Sequence, residues 1–304
     1  MSLANEGRRM LQALLNELKL NKQIEIVLLL DRRFNNLDMP DACEIAWVNH
    51  SDFWLYLDET MSRCDAVLPI APEQDGLLAM IAARVLANNK QLWLSDPDTI
   101  ALCSNKLQTI KLLAQYGLPV VETWRLADYK FLGNGPWVIK PNDGMGCQGS
   151  LLIKTEQMTE QHDAHDLIVQ AYIEGDSLSL SSVFIDGQGY LLSCNRQQIN
   201  IKQNTFELLG CSVNIEHSLR YEFEEMIQKV ATAMPKLWGY IGIDLIVSSQ
   251  HGPMILEINP RITTSYVGLY EATGISPYLQ LHHLLNGEHA DFVPKWNAIA
   301  ELSL

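Results

Sequence analysis

Asp244, Glu257 and Asn259 are the residues of this chain whose types and spacing best suit chemistry. They lie in GYIGIDLIVSSQHGPMILEINPRITTSY (239 to 266), where runs rich in Ile, Leu and Val (240 to 247, 254 to 259) flank SSQHGP, a turn composition. A turn centred on Gln250 and His251 sets Asp244 opposite Glu257 and Gly242 opposite Asn259. Strand alternation puts these four on one face, with Ile243, Leu245, Leu256 and Ile258 on the apolar other. Two carboxylates directly across a ladder repel each other. The arrangement is expected where a cation sits between them, and carboxylate plus amide oxygens suit Mg²⁺ or Mn²⁺. An ordinary solvated hairpin would explain a lone Asp and Glu. The succession E-x-N-x-R at the end of an apolar strand, followed by TTS, argues against it. Arg261 reaches the same mouth, where a guanidinium binds a carboxylate or phosphoryl group with two parallel hydrogen bonds. A one-residue slip in register would undo the face.

WVIKPNDGMGCQGS (137 to 150) supplies a second set. WVIK reads as a short buried strand delivering Lys140, stopped by Pro141. Gly144, Gly146 and Gly149 match G-x-G-x-x-G, a weak pattern alone. A dinucleotide fold needs a helix directly after the loop, and SLLIK (150 to 154), from Ser150 onward, reads as a strand. Strand, glycine loop, strand makes a hairpin lid that folds over phosphates and offers backbone N–H donors. No G-x-x-x-x-G-K-[ST] stretch exists. A floppy surface turn is the bland alternative.

Two further segments bear on a phosphate ligand. SNKLQTIKLLAQYGLP (104 to 119) reads as a helix capped by Ser104 or Asn105, with Leu107, Ile110, Leu113 and Ala114 as its apolar stripe. Lys106 falls in the first turn, where the helix dipole prefers an anion by ~0.3–1 kcal/mol. A bound phosphate reverses that preference, while a solvated lysine needs no ligand. LIVQAYIEGDSLSL (167 to 180) reads as strand, glycine break and strand, whose hinge carries Gln170, Tyr172 and Ile173.

These pieces in this order resemble the ATP-grasp superfamily of carboxylate–amine ligases, over roughly residues 100 to 275. The resemblance implies that Lys106 and Lys140 contact phosphates and that the loop from Gly144 to Ser150 covers the triphosphate. It implies that Gln170 to Ile173 hold adenine and that Asp244, Glu257 and Asn259 hold two metal ions. Where the family places a carboxylate for the ribose hydroxyls this chain has Ser177, with Asp176 beside it as the substitute. Gly242 stands where some D-alanine ligases carry an arginine, which leaves Arg261 as the cation at the transferring phosphoryl group. LEINPRITTSYVGL with a following TG, and APEQDGLL (71 to 78), are most similar to the tyramine–glutamate ligase group of methanofuran biosynthesis. That implies ATP and Mg²⁺ or Mn²⁺ as cofactors, and transfer of a tyramine- or tyrosine-like amine onto glutamate through an acyl phosphate. Three other readings stand beside it. They are an amino-acid or peptide ligase with a different acceptor, a non-catalytic nucleotide-binding protein, and an NAD-dependent oxidoreductase using the glycine loop.

Composition sets the frame. A chain of 304 residues, 47% apolar and 19% charged, buries a substantial core. The net charge of −14 argues against nucleic acid or an anionic membrane as partner. An anionic substrate therefore needs a local cationic cluster, for which Lys106, Lys140, Arg196, Lys202 and Arg261 are the candidates. The expected partners are small-molecule carboxylates and amines, with a homodimer admitted. Six cysteines (Cys43, Cys64, Cys103, Cys147, Cys194, Cys211) without C-x-x-C spacing suit reduced thiols. With no apolar run long enough to span a bilayer and no signal peptide after MSLANEGRRM, the expected location is cytoplasmic. Cys147 reads as a small filler in the glycine loop, and His162 with His165 as residues of a solvated loop.

The elements that must position these residues follow from periodicity. The resemblance implies a mixed α/β and α+β fold class: an ATP-grasp arrangement with an N-terminal parallel-sheet domain, a small lid subdomain and a C-terminal antiparallel-sheet domain. The expected bounds are 1–98, 99–172 and 173–304. Strand-like stretches at 24 to 30, 43 to 48, 65 to 70 and 91 to 94 alternate with helical ones near 6 to 19, 52 to 62 and 76 to 88. SDPDT (95 to 99) reads as a linker. Glu222, Glu224 and Glu225 mark the wet face of a helix running to about Lys236. SPYLQLHHLLNG (276 to 287) is a helix with Ser as cap, Pro at its first position and Gly at its end.

Overall fold

Runs of Ser, Leu, Val and Ile between tight turns build three long strands at the centre of the molecule: β9 (Asp176–Ile185), β10 (Gln188–Lys202) and β11 (Thr205–Val213). The structure is a computed structural model that describes residues 3–34, 43–131, 135–155 and 166–304. His162 and His165 lie outside the described residues. Asp186 and Gly187 turn between β9 and β10 with φ of 50° and 73°, the backbone that a two-residue hairpin demands. β12 (Gly239–Ser248) pairs with β9 and β13 (Gly252–Asn259) closes that edge. On the other side the sheet continues from β11 through β7 (Leu151–Lys154), β6 (Pro136–Pro141) and β8 (Leu167–Ala171) to β5 (Thr123–Arg125). β14 (Ala300–Ser303) pairs along β11. Every pairing named in this sheet is antiparallel. The seam between its two halves is narrow, because β7 meets β11 through the pair Thr205–Leu151.

Helices cover both faces of the long strands, so that most of β9 is buried, its Ser179, Ser181 and Ser182 included. On one face α5 (Lys106–Gln115) and α6 (Arg220–Ala233) pack Leu113, Phe223 and Ile227 against Leu180, Ile243 and Leu245. Each such side chain, fully buried, stabilises the fold by roughly 1.5–3 kcal/mol. Glu222, Glu224 and Glu225 are exposed on α6, as their spacing predicts. On the opposite face α1 (Leu3–Leu18), α7 (Tyr266–Thr273) and α8 (Pro277–Leu285) bury Met10, Leu14, Tyr266 and Tyr278 against Val183 and Tyr240. Glu17 of α1 lies inside this layer and accepts hydrogen bonds from Tyr266 Oη at 2.8 Å and Ser276 Oγ at 2.7 Å. Burial pushes its carboxyl up to about 7, against the lowering effect of those two donors.

The N-terminal region carries β1 (Ile26–Asp31) parallel to β2 (Cys43–Val48), and β3 (Ala66–Val67) parallel to β4 (Gln91–Leu92), with α2 (Phe53–Ser62) and α3 (Leu77–Ala87) between them. Parallel pairing is as expected, but the strands read at 65 to 70 and 91 to 94 shrink to two residues each. Pro69 and Pro72 lack the N–H that would extend the first of them.

Three local expectations change. The stretch read as a linker at 95 to 99 is the start of a helix, α4 (Pro97–Ser104): Asp96 accepts from the N–H groups of Asp98 (3.0 Å) and Thr99 (3.2 Å), and Pro97 occupies the first position. The residues of a polar linker are also those of an N-cap. The following helix is shorter than 104 to 119, with Asn105 as its cap, accepting from Gln108 N–H at 3.0 Å. On that helix Ala114 is exposed and Thr109 takes the buried place. Finally, a bulge shifts the β12–β13 register beyond Asp244, so that Leu245 faces Ile255 and the turn centres on Gln250. Ile255, not Leu256, therefore joins the buried layer.

Candidate functional site

The bulge lies beyond the acids, so Asp244 stands opposite Glu257 and Gly242 opposite Asn259. Gly242 is required there: a Cβ would meet Thr263 Cγ2 at 2.6 Å. Asn259 Nδ2 donates to Asp244 Oδ2 at 3.1 Å, and Gln197 Nε2 donates to Asp244 Oδ1 at 3.0 Å. Gln197 Oε1 in turn accepts from Ser177 Oγ at 2.8 Å. On the other carboxylate, Lys106 Nζ lies 3.3 Å and Lys140 Nζ 3.7 Å from the same atom, Glu257 Oε2. Lys106 is 6% exposed and also donates to the Gly144 carbonyl, so it is no solvated surface lysine. The first turn of α5 is clamped to the root of the glycine loop. Lys106 N–H donates to Asn142 O at 3.2 Å and Leu107 N–H to Asn142 Oδ1 at 3.0 Å.

The charges follow from this packing. Burial raises the pKa of Asp244, and the Glu257 charge and a hydrogen bond between the two carboxyls raise it further. Burial also works against ionised Glu257, but Lys106 and then Lys140 outweigh it and hold that carboxyl below its usual range. Burial depresses the pKa of Lys140, the Glu257 charge opposes this, and Lys106 adds to the depression. The two carboxyls therefore face each other, burdened by burial and mutual repulsion, at the position where a cation would satisfy both. The donor set of two carboxylates and the amide oxygen of Asn259 fits a hard divalent ion. Among the described residues no group of three or more His, Cys, Asp or Glu offers a rival metal site.

The glycine loop lies between β6 and β7 and is followed by a strand, which removes the helix that a dinucleotide fold requires. Gly146 and Gly149 hold φ of 54° and 71°, a left-handed backbone that favours glycine. Turns within the loop use the N–H groups of Gly144, Gln148 and Ser150. Ser150 is buried, and the Cys147 thiol is pushed up to about 11 by burial, in keeping with a filler residue.

Arg261 is largely covered and packs against the buried Glu73, with Nε 2.6 Å from Oε2, and its Nη1 donates to Ile262 O at 3.1 Å. Other expected residues stand apart from the acids. Gln170 lies within β8, paired with Val138 and Thr123, and its Nε2 donates to Thr123 Oγ1 at 2.9 Å. Its side chain is thus held inside the sheet, and the hinge begins after Ala171. Tyr172 N–H donates to Pro136 O at 3.1 Å, and Ile173 follows it. Asp176 is exposed and pairs with Arg196 at 3.6 Å, while Lys202 is exposed at the far end of β10. Neither Arg196 nor Lys202 joins the cluster of Lys106 and Lys140.

Sequence reasoning missed Gln197, Glu73 and the hydroxyl layer beneath the acids. In that layer Tyr240 Oη shares hydrogen bonds with Ser181 (2.9 Å), Thr263 (3.0 Å) and Ser265 (3.3 Å). A signal for Gln197 existed: it sits in β10 where exposed and half-buried residues alternate, next to Arg196. For Glu73 the signal was an acid inside APEQDG, with no indication of its partner.

Comparison with known proteins then gives a family. An ATP-grasp domain matches residues 103–265 and a pre ATP-grasp 3 domain matches residues 24–100. The chain is 26% identical over 269 residues to the tyramine–L-glutamate ligase of Methanocaldococcus fervens, covering 88% of this chain and 83% of the other. A Pseudomonas aeruginosa protein named "Probable alpha-L-glutamate ligase" is 26% identical, over 67% of this chain and 71% of the other. The crystal structure of an ATP-grasp superfamily protein from Archaeoglobus fulgidus superposes with a TM-score of 0.70 at 24% identity, covering 98% of this chain and 92% of that one.

Proposed function

The chain belongs to the ATP-grasp family and is a carboxylate–amine ligase that forms ADP, and on that premise we propose that it joins glutamate to a tyramine- or tyrosine-like amine through an acyl phosphate. The biosynthesis of a methanofuran-type cofactor is the setting we propose. The observation that carries the reading is the convergence of Lys106, Lys140, Asp244, Glu257 and Asn259 beside a glycine loop. The likeness to tyramine–L-glutamate ligase over most of both chains supports the choice of substrates.

In the proposed reaction a carboxylate oxygen of glutamate attacks the γ-phosphorus of ATP, and the bond to the β–γ bridging oxygen breaks to release ADP. The amine, once uncharged, attacks the acyl carbon through nitrogen, the bond to the phosphate oxygen breaks, the nitrogen gives up a proton to the departing phosphate or to water, and an amide and phosphate leave. No protein nucleophile is needed; positioning and charge carry the catalysis. Asp244, Glu257 and Asn259 would hold Mg²⁺ or Mn²⁺, as two ions, which when bound supply positive charge to the phosphate oxygens. Lys106 and Lys140 turn from Glu257 to the phosphates. The loop from Gly144 to Ser150 covers them with backbone N–H groups and excludes water from the acyl phosphate. Arg261, held by Glu73, faces the carboxylate and the transferring group. The hinge of Tyr172 and Ile173 serves adenine, and Asp176 serves ribose in place of Ser177. We assign residues 1–98, 99–172 and 173–304 to the N-terminal, lid and metal-holding units, and the cytoplasm as location. Among the described residues no helix is long and apolar enough to cross a membrane.

Glu257→Gln tests the assignment. ADP release dependent on glutamate and tyramine should fall by about 10³-fold or more, with the circular-dichroism spectrum of the native protein retained. Near-normal turnover would refute the role of Glu257. A second reading, a glutamate or amino-acid ligase with another acceptor, is favoured by the Pseudomonas aeruginosa relative. ADP release across a panel of amines and amino acids separates the two.

A further inference from the structure

A cavity of about 900 Å³ opens between α1, the N-terminal strands and the glycine loop. Arg261, Gly146 to Gly149 and Glu6 of the first turn of α1 line it. Apolar side chains line it as well, with Leu28, Leu57, Met61 and Val67 among them. From these facts, and resting on the ligase reading, we propose that Glu6 receives the ammonium group of the amine substrate while the apolar walls hold its body.

The argument begins with charge. At neutral pH a primary alkyl amine arrives as a cation. The groups that the site offers to ATP and a carboxylate, Lys106, Lys140 and Arg261, are themselves cations and repel it. An amine brought to an acyl phosphate beside them needs a carboxylate at the same end of the cavity. Among the described residues three acids line the cavity: Glu6, Asp31 and Glu207. Asp31 is in an ion pair with Arg33 at 2.6 Å, and Glu207 is exposed on β11. Glu73 lies close by but holds Arg261.

Glu6 alone of the three stands where the chemistry would occur. Its carboxylate shares the cavity lining with Arg261 and Cys147, the cation and the loop residue of the proposed site. Its position is fixed by Thr264, whose Oγ1 donates to Glu6 Oε1. Thr264 follows the Asn259–Arg261 segment, so Glu6 and the phosphate-side residues are aligned by one stretch of chain. The side chain is half-buried and faces a cavity, which leaves its second oxygen room for a ligand. A half-buried carboxylate beside an apolar wall selects an amine that is charged at one end and apolar at the other.

The test compares Glu6→Gln with the wild type in two assays, using ATP and L-glutamate in both. One assay offers tyramine; the other offers hydroxylamine, which is largely uncharged at neutral pH and traps an acyl phosphate as hydroxamate. The variant should raise the KM for tyramine about tenfold or more, the scale of losing one charge-assisted hydrogen bond. Its hydroxamate formation and its KM for ATP should match the wild type, which also shows that the variant is folded. An unchanged KM for tyramine overturns the proposal. So does an equal loss with both nucleophiles, since Glu6 would then support the fold or the first step. If the wild type forms neither hydroxamate nor ADP with any acid, the ligase reading fails and this proposal falls with it.

Discussion

Arg261 Nε and Glu73 Oε2 lie 2.6 Å apart in a buried ion pair between residues 188 positions apart in the chain. Glu73 begins a short turn that also contains Asp75, whose N–H donates to Asp143 Oδ2 at 3.1 Å at the root of the glycine loop. Asp75 and Gly76 hold φ of 55° and 69° in that turn. One turn of the N-terminal region thus touches both the arginine and the base of the loop.

Glu73→Gln leaves the Arg261 guanidinium buried with a neutral partner. Breaking one side of such a pair costs about 3–5 kcal/mol. Urea unfolding should show a loss on the order of 3 kcal/mol, and a variant as stable as the wild type would mean that the pair contributes little.

Gln197 joins Ser177 to Asp244 through two hydrogen bonds of 2.8 Å and 3.0 Å. Gln197→Leu removes one of the two side-chain donors to Asp244, leaving that of Asn259. Partners of this kind typically contribute ~10–100-fold to metal affinity. The Mg²⁺ concentration for half-maximal ADP release should rise by that factor, with the KM for tyramine unmoved.

Gly242→Ala places a methyl group 2.6 Å from Thr263 Cγ2. Thr263 is hydrogen-bonded to Tyr240 at 3.0 Å and to Ser265 at 3.0 Å, so it cannot yield without disturbing both. Overpacking of this kind costs roughly 1–3 kcal/mol, to be read from the denaturation midpoint. Gly242→Ala combined with Thr263→Ser should recover part of the loss, since Ser lacks the offending methyl.

Glu17 supplies a pH dependence. Its carboxyl is raised from 4.5 to about 7 in the folded protein, so the folded state holds the proton more tightly than the unfolded chain. Its stabilising contribution is full below pH 4.5 and is lost as pH rises through about 7. Relative to Glu17→Gln, whose amide oxygen still accepts from Tyr266 and Ser276, the wild type should lose on the order of 3 kcal/mol across that window. Equal pH profiles for the two proteins would show that Glu17 titrates normally.

What the sequence determined by itself was whatever depends on near neighbours. Alternation and a turn composition placed Asp244 opposite Glu257, and the register at those residues held although a bulge changed it nearer the turn. A strand after the glycine loop, an Asn cap before Lys106 and the apolar stripe of α5 were legible for the same reason, since backbone preference and side-chain period act over a few residues. The β3 and β4 strands were read too long and SDPDT was read as a linker because proline and cap residues carry more than one local meaning. Tertiary structure alone decided that Glu73 meets Arg261, that Gln197 supports Asp244 and that Glu6 faces the glycine loop. It alone turned Gln170 into the sheet and made Lys106 a buried partner of Glu257. Those contacts join residues whose separation in sequence carries no periodic signal; they are settled by which apolar faces must be buried together, and only then do the polar groups on those faces find one another.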